Sequence, residues 1–207
     1  MKNNMITIKQ TVKGQYEIKK SVFIAYAFSV FNEDDIARKL QEIKKQYSDA
    51  KHICYAYVLN SQEKYCDDGE PNGTAGKPLL DLIKNKKYTN LLLVVIRYFG
   101  GIKLGAGGLY RAYITSGLSA LDKCTPVQLK QAKHLTLYLS YENANEILAR
   151  LQDYKIKETS VRYLDFVTFD CKLLQEDYFD LEEYIKKIDI RYTVNDTYME
   201  EMYGNNN

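Results

Sequence analysis

Alternating apolar and polar positions predict the strands of the first half of the chain. Met5 to Gln10 and Gln15 to Lys20 alternate around Lys13-Gly14, which indicates a small hairpin with its turn at that glycine. Ser21 to Phe31 continues the alternation, with large apolar side chains on one face and small ones on the other. His52 to Leu59 has the same period of two and is predicted to be a core strand.

Apolar positions spaced by three and four residues predict three helices in the same half. Asn32 is expected to cap the first of them, because acids follow it in the first turn. The apolar stripe of this helix is predicted to consist of Ile36, Leu40, Ile43 and Tyr47. A short helix is predicted from Leu79 to Lys84, with Pro78 at its first position, and a long apolar helix from Leu109 to about Asp122.

The stretch from Leu91 to Arg111 is predicted to contain a buried strand, a glycine loop and the start of a helix. Its first six residues, Leu91 to Ile96, are all apolar, which is too few to cross a bilayer but typical of a buried strand. Five glycines then follow within nine positions: Gly100, Gly101, Gly105, Gly107 and Gly108. The pattern predicts a strand, a glycine loop and a helix in succession, with a backbone that can approach a partner closely.

The charges of this stretch are all positive, and they suggest an anion site. They are Arg97, Lys103 and Arg111. Amides at a helix N-terminus, with the helix dipole behind them, favour anions. The spacing is not a dinucleotide fingerprint, since Tyr110 stands where the third glycine belongs, and Ala106 takes the lysine position of a P-loop. The alternative is a glycine turn that only lets the helix pack closely on its strand.

An acidic loop, Asp67 to Pro78, precedes the short helix. It holds three acids, three glycines and two prolines, and its shape is set by these glycines and prolines. We expect its acids to pair with Arg97 or Lys103 and so hold two loops in register, and we expect Lys77 to support the anion site. The alternative is a Mg²⁺ site, since close carboxylates suit a hard cation; no other cofactor or metal is predicted. The residues with this loop-ordering or cation-binding role are Asp67, Asp68, Glu70 and Thr74.

His52 and Tyr98 are candidate lining residues of a pocket near these loops. A histidine at the end of a strand can act as an acid or base near pH 7. The alternative for His52 is a hydrogen-bonded structural role.

The second half of the chain is predicted to follow a different order of elements. The break at Thr125-Pro126 marks a linker at roughly Cys124 to Lys133. Beyond it the pattern predicts strand, helix, two strands, helix and strand within about seventy residues, which is the ferredoxin-like arrangement. The predicted strands are Leu135 to Ser140, Ile156 to Tyr163, Phe166 to Leu174 and Arg191 to Met199.

Charge is distributed unevenly over these two halves. The 207 residues have a net charge of +2, but residues 1–130 carry +8 and residues 131–207 carry −6. This asymmetry supports two domains and an anionic partner for the first of them. Two unlike solvated surfaces are the alternative.

Cysteine spacing and apolar run lengths indicate the compartment. Four cysteines without a C-x-x-C pair, and only two histidines, do not form a zinc framework. Free, mostly buried thiols in a reducing compartment are expected instead. No apolar run suits a signal peptide or a membrane span, so we predict a cytoplasmic chain without membrane contact.

The two loops together resemble the Impact family, in particular its bacterial YigZ-like members. The resemblance rests on DDGEPNGTAGKP at 67–78 and VVIRYFGGIKLGAGGLYRAY at 94–113. It implies an α+β fold in two domains. Residues 1–127 would form an Impact N-terminal domain similar to the second domain of ribosomal protein S5. Residues 134–202 would form a ferredoxin-like domain that resembles domain V of elongation factor G.

The resemblance implies contact with RNA or the ribosome and a role in translational control. We therefore predict a non-catalytic module in which Arg97, Lys103, the 100–108 backbone, Lys77 and Arg111 hold phosphates. A translation-related protein is a second expected partner, through the acidic C-terminal domain. One alternative is an enzyme that acts on a small anionic or phosphorylated substrate between the 67–78 and 97–108 loops. Another is a protein-binding scaffold.

Overall fold

The computed structural model describes residues 5–188 and 190–202, which form two compact units. The first unit contains residues 5–128 together with Met202, and the second contains residues 129–201 apart from 189.

The first unit is a five-stranded antiparallel sheet with three helices. Strand order in the sheet is β2-β3-β6-β4-β5. The elements are β1 (Met5–Ile8), β2 (Val12–Ile18), β3 (Ser21–Ser29), α1 (Glu33–Gln46), β4 (His52–Leu59), β5 (Gln62–Cys66), α2 (Gly76–Asn85), β6 (Leu91–Tyr98) and α3 (Ala106–Leu121).

Helices cover both faces of this sheet. The residues of α2 and α3 pack on the face that includes Phe23, Cys54 and Val95. Helix α1 packs on the opposite face, against residues such as Tyr57 and Val94. Because β6 is central and covered on both sides, all of its residues before Tyr98 are buried, which explains its uninterrupted apolar run. The predicted cap of α1 is confirmed: the Asp35 N–H donates to Asn32 Oδ1 at 2.8 Å.

The predicted turn at Lys13-Gly14 is wrong, because β2 runs straight through both residues. A Cβ at Gly14 would lie 2.2 Å from Ser119 Oγ and 2.5 Å from the Ala120 nitrogen. The glycine therefore allows α3 to lie directly against β2. The turn between β2 and β3 is instead made by Lys19 and Lys20, whose φ angles of 47° and 63° are both left-handed.

The second unit has four strands and two helices, which cover one face of these strands. Its elements are β7 (Pro126–Leu139), α4 (Tyr141–Leu151), β8 (Lys157–Tyr163), β9 (Val167–Leu174), α5 (Gln175–Lys187) and β10 (Arg191–Met202). The spatial order of the strands is β10-β7-β9-β8, and β1 also pairs with β7. Leu137, Phe169 and Leu181 belong to the core between sheet and helices. The predicted succession of strands and helices is confirmed.

The predicted linker from Cys124 to Lys133 is largely strand. β7 begins at Pro126, and its residues Val127, Leu129 and Ala132 are buried. The proline had been interpreted as a break, so this buried side was not predicted. Within the described residues, no helix has the length and apolar character needed to cross a membrane.

Candidate functional site at the glycine loop

The loop between β6 and α3, residues 99–105, is exposed over most of its length. Gly101 and Gly105 have φ angles of 85° and 73°, in the region that favours glycine. Ile102 and Lys103 lie between them, and both are exposed. We call this segment, together with the first turn of α3, the glycine loop.

Gly100 brings a second basic segment against this loop. A Cβ at Gly100 would lie 2.0 Å from the carbonyl carbon of Lys20, and the Gly100 N–H donates to Ser21 Oγ at 3.1 Å. The β2–β3 turn therefore packs on the loop backbone and adds the exposed side chains of Lys19 and Lys20. Sequence reasoning missed these two lysines because it placed the turn at Gly14. Two consecutive lysines after an alternating strand were the available signal.

The N-terminus of α3 has no side-chain cap. Its N-cap is Gly105, no first-turn residue is acidic, and its first internal hydrogen bond runs from the Leu109 N–H to the Gly105 carbonyl at 2.9 Å. The N–H groups of residues 106–108 therefore have no acceptor within the helix. Gly107 and Arg111 are exposed, so this end of the helix is accessible.

Four cations lie in the glycine loop, in the adjoining second turn of α3 or in the β2–β3 turn that packs on the loop. None of the following forms an ion pair with a residue that the structure describes. They are Lys19, Lys20, Lys103 and Arg111. Cations without an ion-pair partner among the described residues favour an anionic partner.

Apolar side chains are exposed beside these cations. Phe99 is 48% exposed, Ile102 46% and Tyr110 42%, all within the glycine loop or the first turns of α3. Exposed aromatic rings among cations are typical of surfaces that bind single-stranded nucleic acid.

Arg97 is not on the open surface where the sequence placed it. The residue is 5% exposed, and its Nη1 lies 2.6 Å from Glu70 Oε1. Its guanidinium carbon lies 5.4 Å from the centre of the Phe23 ring and 5.5 Å from that of Phe99. Position 97 has the parity of Leu93 and Val95, so its side chain lies on the face of the sheet that α2 and α3 cover. The predicted pairing of the acidic loop with Arg97 is present, and it keeps this arginine from acting as a surface phosphate ligand.

Glu70 is the centre of a buried polar network. It accepts a second hydrogen bond from Tyr113 Oη at 2.9 Å, and Cys54 Sγ lies 3.3 Å from the same hydroxyl. Burial is the main cause that raises the pKa values of both Tyr113 and Cys54 far above their ordinary ranges. The phenol and the thiol are therefore neutral, and neither is an activated nucleophile.

Asp67 caps the N-terminus of α2 from outside the helix. Its Oδ1 accepts from the Ala75 and Gly76 N–H groups at 3.0 and 2.8 Å, and its Oδ2 accepts from the Gly73 N–H at 2.9 Å. Charge-assisted bonds of this kind, aligned with the helix dipole, fix the loop against the helix. One anion-binding helix end of the unit is thus filled by the chain itself.

The remaining acidic-loop residues also have structural partners. Asp68 Oδ2 accepts the Ile53 N–H at 2.6 Å, and Thr74 Oγ1 donates to the Pro71 carbonyl at 2.6 Å. Among the described residues, no group of three or more potential ligands is placed to hold a metal ion. The Mg²⁺ alternative does not fit this arrangement, because the carboxylates point to different backbone and side-chain donors.

The candidate pocket between His52 and Tyr98 is not formed. His52 is the direct strand partner of Arg97, so by the alternation of β6 it lies on the face opposite Tyr98. His52 Nδ1 lies 2.8 Å from the Asp68 carbonyl, and Tyr98 Oη donates to Asp49 Oδ1 at 2.8 Å. Both side chains have structural partners.

Lys77 lies on α2, and its exposed Nζ is 2.5 Å from Asp81 Oδ1. The structure brings Lys103, the glycines from 100 to 108 and Arg111 together on one connected segment. It adds Lys19 and Lys20, and it removes Arg97 to the interior.

Comparison with known proteins places this geometry in context. The family model described as the Impact N-terminal domain matches residues 19–121 of this chain. The IMPACT family member YvyE of Bacillus subtilis is 33% identical over 191 residues, covering 91% of this chain and 88% of the relative. The IMPACT family member YigZ of Escherichia coli is 33% identical over 156 residues, covering 73% and 76%. A crystal structure titled as an hypothetical protein superposes with a TM-score of 0.69 at 28% identity, covering 93% and 97%.

Proposed function

This chain belongs to the Impact family, and from that premise we propose that it is a non-catalytic regulator of translation that binds RNA or the ribosome. The translational role is the one that the family resemblance implies. A cytoplasmic location is part of the same proposal.

We also propose the finer fold assignment. The first unit corresponds to the S5 second-domain type, and the second to the ferredoxin-like type that resembles domain V of elongation factor G. The order β10-β7-β9-β8 supports the second assignment, because a ferredoxin-like sheet places its fourth strand beside its first and its third beside its second.

The observation that carries the functional proposal is the uncapped N-terminus of α3 beside unpaired cations. Phosphate oxygens would accept from the amides of residues 106–108 and from Lys103 and Arg111. Lys19 and Lys20 extend this positive surface onto the β2–β3 turn. A charged polymer therefore fits the surface better than a single small anion does. Lys77 would join this surface by exchanging Asp81 for a phosphate.

Arg97 has a positioning role in this proposal. Its pair with Glu70 ties the end of β6 to the acidic loop, and its guanidinium lies against the Phe99 ring at the start of the glycine loop. The buried ion pair therefore sets the path on which the exposed cations are presented.

The enzyme alternative has less support from the same residues. Its acids, Asp67, Asp68 and Glu70, already accept hydrogen bonds from the chain's own donors. The acidic second unit supports the additional proposal of a translation-related protein partner, since α5 carries acids at Glu176 and Asp177 in its first turn.

Titration of a labelled, structured ribosomal RNA fragment by fluorescence anisotropy tests the proposal. Between about 50 and 200 mM salt, the affinity of the native chain should fall steeply because neutralised phosphates release counterions. The variant Lys103→Glu with Arg111→Glu should bind more weakly, with a salt slope shallower by roughly two.

The matched control is Lys44→Glu with Lys45→Glu. These exposed residues lie in the last turn of α1, on the opposite face of the sheet, and impose the same charge change. A native salt slope near zero would exclude phosphate-driven binding. Equal losses in both variants would show that only net charge matters. Absence of binding at every salt concentration would favour the protein-binding scaffold.

A further inference from the structure

We propose that the second unit has its own binding surface for single-stranded RNA, on the face of its sheet that no helix of this unit covers. This inference goes beyond the glycine loop and does not depend on it. We call this surface the open sheet face and define it by Tyr138, Lys157, Arg162, Asp170, Lys172 and Arg191.

Strand register assigns these residues to one face. Leu137, Phe169 and Leu173 belong to the core under α4 and α5, so their neighbours in sequence point to the other side. Direct partners share a face: Tyr138 lies opposite Thr168, Arg162 opposite Thr168, and Lys157 opposite Lys172. The guanidinium carbon of Arg191 lies 4.9 Å from the centre of the Tyr138 ring, which places this end of β10 on the same face.

Charge is segregated between the two sides of the second unit. Residues 131–207 carry a net −6, yet the open sheet face has four cations and a single acid among its six defining residues. The acids concentrate on the helix side, where α5 alone has five of them. A surface that opposes the net charge of its own domain indicates a specific anionic partner.

The single acid of this face organises its neighbours. Asp170 Oδ1 accepts from Thr136 Oγ1 at 2.6 Å, and its Oδ2 accepts from Arg162 Nη2 at 2.8 Å. Arg162 nevertheless stays 63% exposed, so part of its guanidinium remains available to a ligand. Asp170 thereby orients Arg162 across the sheet, and the open sheet face keeps an excess of positive charge.

Aromatic side chains lie among these cations. The Tyr138 ring sits on the central strand β7, 5.6 Å from the centre of the Phe166 ring, which is 41% exposed. Arg191 covers Tyr138 and is itself exposed, so a planar base can stack on its guanidinium or replace it on the ring.

These features favour a single strand over a duplex. Four strands at about 4.8 Å spacing give a nearly flat platform about 14 Å wide. Unstacked bases can lie on such a platform, as they do on sheets that read two or three bases through aromatic residues. Bases paired in a duplex are stacked on each other and cannot reach Tyr138 or Arg191.

The test measures binding of labelled oligouridylate of about 12 nucleotides by fluorescence anisotropy. All variants are made in the full chain that also carries Lys103→Glu and Arg111→Glu, which weakens the glycine-loop contribution and keeps it constant in every comparison. Arg191→Glu should weaken binding roughly tenfold, because a cation that contacts bases and phosphates becomes an anion. Tyr138→Ala should weaken it about fivefold or more, and Tyr138→Phe should keep the affinity of the Lys103→Glu and Arg111→Glu parent because the stacking ring remains.

Lys187→Glu is the matched control, since this exposed lysine lies at the end of α5 on the helix side. It should change the affinity less than twofold, because it imposes the same charge change away from the open sheet face. Thermal unfolding by circular dichroism checks that Tyr138→Ala is folded. If Tyr138→Ala does not fold, the affinity of Arg191→Glu alone tests the proposal. Binding by Arg191→Glu as tight as that of the Lys103→Glu and Arg111→Glu parent would overturn the proposal, and so would equal affinity of this parent for a duplex of the same length.

Discussion

The buried pair between Arg97 and Glu70 offers the sharpest test of how the glycine loop is held. We consider Arg97→Met, which keeps an unbranched side chain of similar length and removes the guanidinium. Glu70 would then lie 4% exposed with Tyr113 Oη as its remaining side-chain donor. Its carboxylate would have lost the cation 2.6 Å away that compensates for its removal from water.

The expected loss follows from that burial. Removal of one partner from a buried ion pair costs about 3–5 kcal/mol, because the other charge stays desolvated. A loss of that size corresponds to a Tm lower by roughly 10–20 °C in a unit of this size. Glu70→Gln added to Arg97→Met should recover about half of the loss, since a neutral amide can still accept from Tyr113 without the cost of a buried charge.

Urea titration followed by circular dichroism measures these free energies of unfolding. Lys84→Met is the control, because the Lys84–Glu63 pair has a similar distance of 2.7 Å but side chains 47% and 39% exposed. Its removal should cost less than about 1 kcal/mol. Equal small losses for Arg97→Met and Lys84→Met would refute the reasoning, as would a double variant less stable than Arg97→Met alone.

Three further predictions concern the first unit and the thiols. Asp67→Asn should cost about 1–3 kcal/mol in a urea titration, because its three amide donors lose a charged acceptor and at least one of them then faces an NH2 group that cannot accept. Gly14→Ala should destabilise by about 1–3 kcal/mol or prevent folding, whereas Gly107→Ala, whose added Cβ meets nothing closer than 4.0 Å, should leave the Tm nearly unchanged. Thiol labelling at pH 8 should modify Cys66 first, and Cys66→Ser should remove the fast phase, because burial raises the pKa of Cys171 to about 12 and so keeps its thiolate scarce.

Much of the fold could be predicted because burial leaves a periodic record in the sequence. The stripe of α1 and the apolar run of β6 have this character, and both elements were located closely. β5 was missed because all but one of its residues are exposed, so it carries no core-facing pattern. The start of β7 was missed because Pro126 suggested a break, although a proline is tolerated at the first residue of a strand.

The site was less predictable because the exposure of a side chain depends on which face of its strand it occupies and on which distant segments pack against it. Arg97 adjoins an exposed loop in sequence, yet its position on β6 directs it to Glu70 in the interior. Gly14 looked like a turn residue, and only the approach of α3 explains it. The contribution of Lys19 and Lys20 depends on contact with Gly100, eighty residues away along the chain, which no local pattern records.

Co-sedimentation with ribosomes at about 50 and 200 mM salt tests the central claim most directly. The native chain should pellet with ribosomes at the lower salt concentration and largely leave them at the higher one. The Lys103→Glu and Arg111→Glu variant should pellet much less than the native chain at the lower salt concentration, while the Lys44→Glu and Lys45→Glu control should behave like the native chain. If the glycine-loop variant pellets as fully as the native chain, the glycine loop is not the surface that meets the RNA.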